Sequence, residues 1–255
     1  MQVLVCIKRV PATGGRILLT ADGQEIDTRH LGFAISPHEE CAVEEAVRLV
    51  EAQGGSSTVL TLGPDAAVEQ LRDAMAVGIE QAVLLETDGR EWDPVATATA
   101  IVDAIRARET VDGPFDLILL GNEAADSADY QVGVRVAVAL GRPCVSGIKA
   151  LEVNGSRAVA RREAVGGWEV FDVPLPAVMS VREGLNLPRY PSVPGRLRAR
   201  RKDVERQVPE HRPGGQSKIG LRLPPERDRA VEILGHGPEA APRVVEVLVR
   251  MGLLP

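Results

Sequence analysis

The residues with most chemical promise lie in one stretch, "GNEAADSADYQVG", residues 121–133. It opens on Gly121 after the apolar run "FDLILL" and closes on Gly133 at the head of a helix-like segment. Strand, glycine, small polar loop and helix start make a cradle for an anion, because free N–H groups at a helix N-terminus attract phosphate. Glycine lets the backbone come close to a ligand with no side chain between. Lys and Arg are absent from residues 121–134, so backbone donors and the helix dipole are expected to supply the attraction. Asp126 and Asp129 are carboxylates that could share acid–base work, but on a loop such residues more often serve turns and caps. Gly121 and Gly133 also have a plainer use, in turns and packing.

Other chemistries lack their residues. The chain has neither G-x-x-x-x-G-K-[ST] nor G-x-G-x-x-G, so no standard phosphate fingerprint applies. There is no G-x-S-x-G, and no Ser/His/Asp or Cys/His set offers itself. Cys6, Cys41 and Cys144 are widely spaced with no CxxC, which suits buried thiols in a reducing compartment. His30, His38, His211 and His236 have no metal-ligand spacing. A binding or carrier protein is expected rather than an enzyme.

The elements that must position the cradle follow from periodicity. "VLVCI" reads as a buried strand, and residues 8–35 as an irregular excursion with turn signals at Gly14-Gly15 and Asp22-Gly23. Ser36, Pro37 and Glu39 spell a capping box that starts a helix with Ala42, Val43, Ala46, Val47 and Val50 on one face. "STVLTL", "QAVLLE" and "FDLILLG" are further apolar strands, each followed by an amphipathic helix. Continuous apolar strands alternating with helices imply a mostly parallel, doubly wound α/β sheet covered on both faces. In such sheets ligands bind beyond the carboxyl ends of the strands. From Pro143 onward "VSGIKALEV", "SRAVARREA" and "WEVFDV", separated by Asn154-Gly155 and Gly166-Gly167, read as an antiparallel hairpin section, after which "PAVMSV" could rejoin the main sheet.

The stretch "LNLPRYPSVPGRLRARRK" stands out in a chain that is only 3% aromatic, because its prolines forbid a regular helix or central strand. Residues 203–229 are rich in Pro, Gly and charge and read as an extended arm. A final amphipathic helix carries Val244, Val245, Leu248 and Met251, and it needs another surface to pack on. The net charge of −6 argues against a dedicated nucleic-acid binder. No apolar run is long enough to span a membrane, and Met1 leads directly into the first strand, so a cytoplasmic location is expected.

In this order the motifs resemble the beta-subunit family of electron transfer flavoproteins. "VLVCIKRVP" is similar to the family's opening strand with its Lys-Arg pair, and "SPHEECAVEEAVRL" to its "NPF-E-AVEEA-RLKE" helix. "TLGP" with "LRDAMAVGIEQAVLL" resembles the segment that ends in a Met-Gly-Ala-Asp turn. "LILLGNEAADSADYQVG" stands where the family has "G-QA-D-D" and "Q-[TV]-G", and "LNLPRYPSVP" with its basic tail resembles the signature after the last strand.

The resemblance implies an adenine-nucleotide alpha-hydrolase-like domain over residues 1–202, then a C-terminal arm and helix, residues 203–255, packing on a partner. That partner is an alpha subunit, which supplies most of an FAD site. The heterodimer takes electrons from flavin-dependent dehydrogenases and passes them to an acceptor such as a quinone oxidoreductase. The beta subunit then carries AMP as a structural nucleotide. Its contacts would fall at Cys6, Ser36, Pro37, His38, Glu39, Leu62, Gly121, Asn122, Glu123, Ala124, Asp126, Gln131, Val132 and Gly133. Tyr190, Pro191, Val193, Pro194 and Arg196 match the loop that docks dehydrogenases, with Val193 as its apolar anchor.

There are departures. Ser36 replaces an Asn, His38 a Phe that lies towards the flavin, and Thr13 a Tyr. Val132 and "PRYPSVP" lean towards a bifurcating branch in which a second FAD takes the place of AMP. A stand-alone nucleotide sensor of the universal-stress type shares the opening units but has no use for the arm. An adenylate-forming ligase would need an "HxGH" or "KMSKS" loop, and neither occurs.

Overall fold

The computed structural model describes residues 1–12, 14, 17–225 and 232–254. Thr13 and Gly15, singled out above, lie outside them, as do residues 226–229 of the expected arm. The chain divides into two compact units, Met1–Gly220 and Leu221–Pro255.

The first unit opens with β1 (Gln2–Ile7) and an excursion in which β2 (Val10–Pro11) pairs antiparallel with β3 (Phe33–Ala34). The Asp22-Gly23 signal falls in a turn closed by Leu19 and Ile26. Then α1 (Pro37–Gln53), β4 (Ser56–Gly63), α2 (Val68–Val77), β5 (Gln81–Glu86), α3 (Pro94–Asp112), β6 (Leu117–Gly121) and α4 (Val132–Leu140) alternate as expected. The strands are parallel, with β1 between β4 and β6. Alternate residues of β1 feed opposite cores. Val3, Val5 and Ile7 pack with α1 and α2 on one face, whereas Leu4 and Cys6 pack with α3 and α4 on the other. Covering both faces is why these strands are apolar throughout.

The next stretch corrects the sequence reading. "VSGIKALEV" is not one hairpin strand. It splits at Lys149 into β7 (Cys144–Ile148), outermost in the parallel sheet, and β8 (Ala150–Asn154), which starts a separate antiparallel sheet. Gly147 at φ 73 and a register shift in the facing strand break the run there. β9 (Arg157–Ala164) and β10 (Gly167–Pro174) complete the antiparallel sheet, and β11 (Ala177–Val181) rejoins the main one between β6 and β7.

A second correction concerns the prolines. Residues Val193–Arg201 form a helix, α5, although prolines were expected to forbid one. Pro194 occupies the first turn, where its missing N–H is not needed, and Ser192 Oγ caps Gly195 N at 3.1 Å. Beyond Lys202, β12 (Glu205–Gln207) pairs parallel with β5 and completes the order β12-β5-β4-β1-β6-β11-β7. The first unit therefore continues to Gly220, past the expected break after Lys202. Ion pairs of Arg206 with Asp65 and Glu86, and a 2.8 Å bond from Gly214 N to Asp93, fasten this segment. In the second unit, α6 (Ala241–Arg250) has no buried residue, and Val244, Val245 and Val249 are all exposed.

Helix α5 seats closely on α2, because a Cβ on Gly195 would lie 2.3 Å from the Ala76 carbonyl oxygen. That backbone atom cannot step aside. Gly195→Ala should therefore lower the urea unfolding free energy by about 1–3 kcal/mol, whereas Gly113→Ala measures only positive-φ strain, having no neighbour in range.

Candidate functional site

β1 leads through α1 to β4 on one side, whereas the chain leaving β6 goes to the other side through α4 and β7. The carboxyl ends of β1 and β6 therefore flank the topological switch point, where open α/β sheets leave a crevice. A cleft of about 430 Å³ is lined by Ser36, Pro37 and His38 at the start of α1, by the six residues Glu123, Ala124, Ala125, Asp126, Ser127 and Ala128, and by Glu183 after β11.

Its wall is built around Glu39. This residue is 5% exposed, yet its carboxylate is well supplied with donors. Oε2 accepts from Ser36 N at 2.9 Å and Ser36 Oγ at 3.1 Å, and Oε1 accepts from Lys8 N at 2.7 Å. The expected capping box is thus present, and its carboxylate also binds the chain just after β1. Gly121 is glycine because a Cβ there would stand 2.8 Å from Glu39 Cγ. Burial pushes the Glu39 carboxyl up to about 7, against the opposing effect of its bonds from Ser36 and Lys8. Burial first, and Glu39 second, push the Cys6 thiol up to about 12, so Cys6 stays protonated and unreactive.

The loop after β6 is folded on itself. Ala124 and Ala128 exchange backbone hydrogen bonds, with Ala128 N donating to Ala124 O at 2.8 Å, and Ala128 sits at φ 65, strained for a residue with a Cβ. Lys8 Nζ crosses to this loop and donates to Asp126 Oδ1 at 2.8 Å and Ser127 Oγ at 3.2 Å. His38 Nδ1 accepts from Glu183 N at 3.0 Å, leaving Nε2 to face Glu123 Oε1 at 3.3 Å. Asn122 Oδ1 accepts from Ser180 Oγ at 3.0 Å and so ties the loop to β11.

The structure brings Ser36, Pro37, His38, Glu123, Ala124 and Asp126 together in the cleft wall, with Glu39 and Asn122 behind them. Cys6, Leu62 and Gly121 share the carboxyl edge of the adjacent strands β1, β4 and β6 but do not line the cleft. Gln131, Val132 and Gly133 start α4, whose first turn has no side-chain cap; Gln131 instead accepts from Arg135. A Cβ on Gly133 would meet Leu120 and Ser180 at 3.6 and 3.9 Å, so it faces the sheet, and substitution there reports on packing. Sequence reasoning covered Ala125, Ser127 and Ala128 within residues 121–133 but missed Glu183 and the part played by the Lys8 ammonium. The absence of cations from residues 121–134 misled it, because the fold delivers one from β1.

The residues matched to a docking loop form a second surface. Tyr190 is 97% exposed and Val193 73%, with Leu187 beside them and Arg196 exposed on α5. Pro191 is half-buried and Pro194 exposed in the first turn of α5. This loop is anchored, since Arg189 donates to Glu44 at 2.9 and 3.1 Å and to Glu51 at 2.7 and 2.9 Å. Asn186 Nδ2 donates to Cys41 O at 3.0 Å and Glu45 Oε2 at 2.9 Å. Among the described residues no cluster of His, Cys, Asp and Glu is placed to hold a metal ion, and no helix is long and apolar enough to cross a membrane.

Fold and cleft define a doubly wound α/β protein with a ligand-type crevice at its switch point and, apart from it, a braced loop that exposes apolar side chains. Comparison with known proteins gives the family. Residues 25–211 match the electron transfer flavoprotein domain. The chain is 34% identical to the electron transfer flavoprotein subunit beta of Bacillus subtilis over 97% of each chain. It is also 34% identical to that of Syntrophomonas wolfei, over 96% of this chain and 95% of the relative. A Mycobacterium leprae protein of the same name is 35% identical over 80% of this chain and 77% of its own. The chain belongs to the electron transfer flavoprotein family, among relatives named as beta subunits.

Because the folded chain holds the Glu39 proton up to about pH 7, while the unfolded chain releases it near 4.5, this residue's contribution to stability is complete below 4.5 and is lost as pH rises towards 7. Glu39→Gln removes the titration. Its unfolding free energy relative to wild type should therefore improve by about 3 kcal/mol between pH 4.5 and pH 8. A pH-independent gap in urea titrations would show that Glu39 keeps one protonation state throughout.

Proposed function

We propose that this chain works as the beta subunit of a heterodimeric electron transfer flavoprotein and holds AMP in the cleft as a structural nucleotide. The observation that carries the nucleotide is the cleft itself. It lies at the switch point, its wall includes the start of α1, and the small residues Ala124, Ala125, Ser127 and Ala128 leave it open to a ligand. A volume of about 430 Å³ stands near the low end of small-molecule sites, about 300–1,000 Å³. That suits a mononucleotide better than a second FAD, which is more than twice as large.

The pairing with an alpha subunit is supported by α6, whose apolar side has no buried residue in its own unit. FAD, shared with that alpha subunit, supplies the redox chemistry. The work of this chain is to position and dock, which makes it a carrier subunit of a cytoplasmic complex and not an enzyme in its own right. Leu187, Tyr190 and Val193 would meet a flavin-dependent dehydrogenase on a loop already fixed by Arg189, so little entropy is lost on docking. The heterodimer would then deliver electrons to an acceptor such as a quinone oxidoreductase.

Co-expression with an alpha-type partner, followed by denaturation and mass spectrometry of the released small molecules, tests the first part. One AMP and one FAD per heterodimer are expected. Two FAD and no AMP would mean the bifurcating arrangement, and stoichiometric FAD on the lone chain would overturn the division of labour between subunits.

Val193→Ala tests the docking loop. It should lower electron transfer at limiting dehydrogenase concentration by at least about fivefold, the loss expected when a buried apolar anchor is truncated, with flavin content unchanged. An unaltered rate would reduce residues 190–196 to a proline-braced connection.

A further inference from the structure

We propose that Lys8 is the residue that reads the charge of the ligand: a phosphate entering the cleft takes the Lys8 ammonium over from Asp126. This rests on the nucleotide reading of the same cleft.

The cleft has an electrostatic problem. Glu123, Asp126 and Glu183 all line it, and an anion entering it meets three carboxylates. His38 is already committed on both nitrogens, to Glu183 N and to Glu123. Among the described residues that line the cleft or hydrogen-bond to its lining, Lys8 is the one Lys or Arg. Its ammonium lies 2.8 Å from Asp126 Oδ1 and 3.9 Å from Glu91 Oε1, with its side chain 35% exposed. It is held by exchangeable contacts and not locked in place.

Its backbone is another matter. Lys8 N donates to the buried Glu39 carboxylate at 2.7 Å, which itself fixes Ser36 at the head of α1. The ammonium thus swings from a pivot in fixed register with the helix start that lines the cleft. An ammonium is a compact charge with three rotatable donors, suited to exchanging one oxyanion for another. A phosphate monoester carries about −1.5 to −2 at pH 7 and so competes well against the single charge of Asp126. The backbone donors of the loop attract any acceptor, whereas Lys8 distinguishes a phosphorylated ligand from its nucleoside.

The test measures binding of AMP and of adenosine to the nucleotide-depleted heterodimer, for wild type, Lys8→Met, Lys8→Arg and Asp126→Asn. Lys8→Met should weaken AMP by about 10- to 100-fold, the scale of a lost charge-assisted contact, and leave adenosine unchanged. Lys8→Arg should restore most of the loss. Asp126→Asn, which removes the competitor, should tighten AMP. Equal losses for AMP and adenosine in Lys8→Met would show that Lys8 only props the loop, and an unchanged AMP affinity would show that it does not meet the phosphate. Either result overturns the proposal and leaves the nucleotide reading standing. Wild type that binds neither compound would remove the nucleotide reading, and this inference with it.

Discussion

The geometry of the site depends on a buried carboxylate with a full set of donors. Glu39 joins the end of β1 to the head of α1 through Lys8 N and Ser36, and its side chain fills the space that Gly121 leaves beside β6. Three elements distant in sequence are thereby held at one point. Burying a carboxylate is costly unless its oxygens are satisfied, and here the desolvation is offset only in part, as the raised Glu39 proton affinity shows. An apolar residue at position 39 would avoid that cost, but it would leave the Ser36 and Lys8 N–H groups without their acceptor. The arrangement sets stability against registration. The strained Ala128 and the self-bonded loop from Ala124 add a second local cost at the same edge of the sheet.

How far the sequence discloses this follows from the range of each interaction. The parallel sheet was legible because a strand covered on both faces is apolar throughout, and "VLVCI" or "LILL" admits few alternatives. The α1 cap was legible because Ser36 and Glu39 satisfy each other locally, within three residues. The expectation failed where the outcome was decided at long range. Nothing local in "VSGIKALEV" says that its first half pairs with β11, more than thirty residues later, and its second half with β9. Pro194 was taken as a helix breaker because the test applied to it was one for a helix interior, whereas Ser192 makes its position a first turn.

The cleft shows the same division. Ser36, Pro37 and His38 were foreseeable from the helix start, and Glu123, Ala124 and Asp126 from the loop after an apolar strand. Glu183 and the reach of the Lys8 ammonium to the loop were not, since each arrives at the cleft from a different strand end through tertiary packing. The charge character of the cleft was therefore misjudged from the loop alone. A count of cations along residues 121–134 describes the covalent neighbourhood, whereas an entering anion meets whatever the switch point gathers.

One helix ties the two candidate surfaces together. The first turn of α1 forms part of the cleft wall, and farther along the same helix Glu44, Glu45 and Glu51 hold Arg189 and Asn186 below the exposed Tyr190 and Val193. Glu44 and Glu45 are buried at 5% and 8% exposure, which makes this bracing more durable than a solvent-exposed pair. The sequence "HEECAVEEAVRLVE" is thus acidic for structural reasons, with Glu39 at one end and the Arg189 clamp at the other. The apolar positions between them, Ala42, Val43, Ala46 and Val47, seat the helix on β1. Moving α1 along its axis would disturb the cleft and the loop together. On the proposed reading, in which the cleft holds a nucleotide and the loop meets a partner, setting both on one rigid element keeps either from drifting without the other.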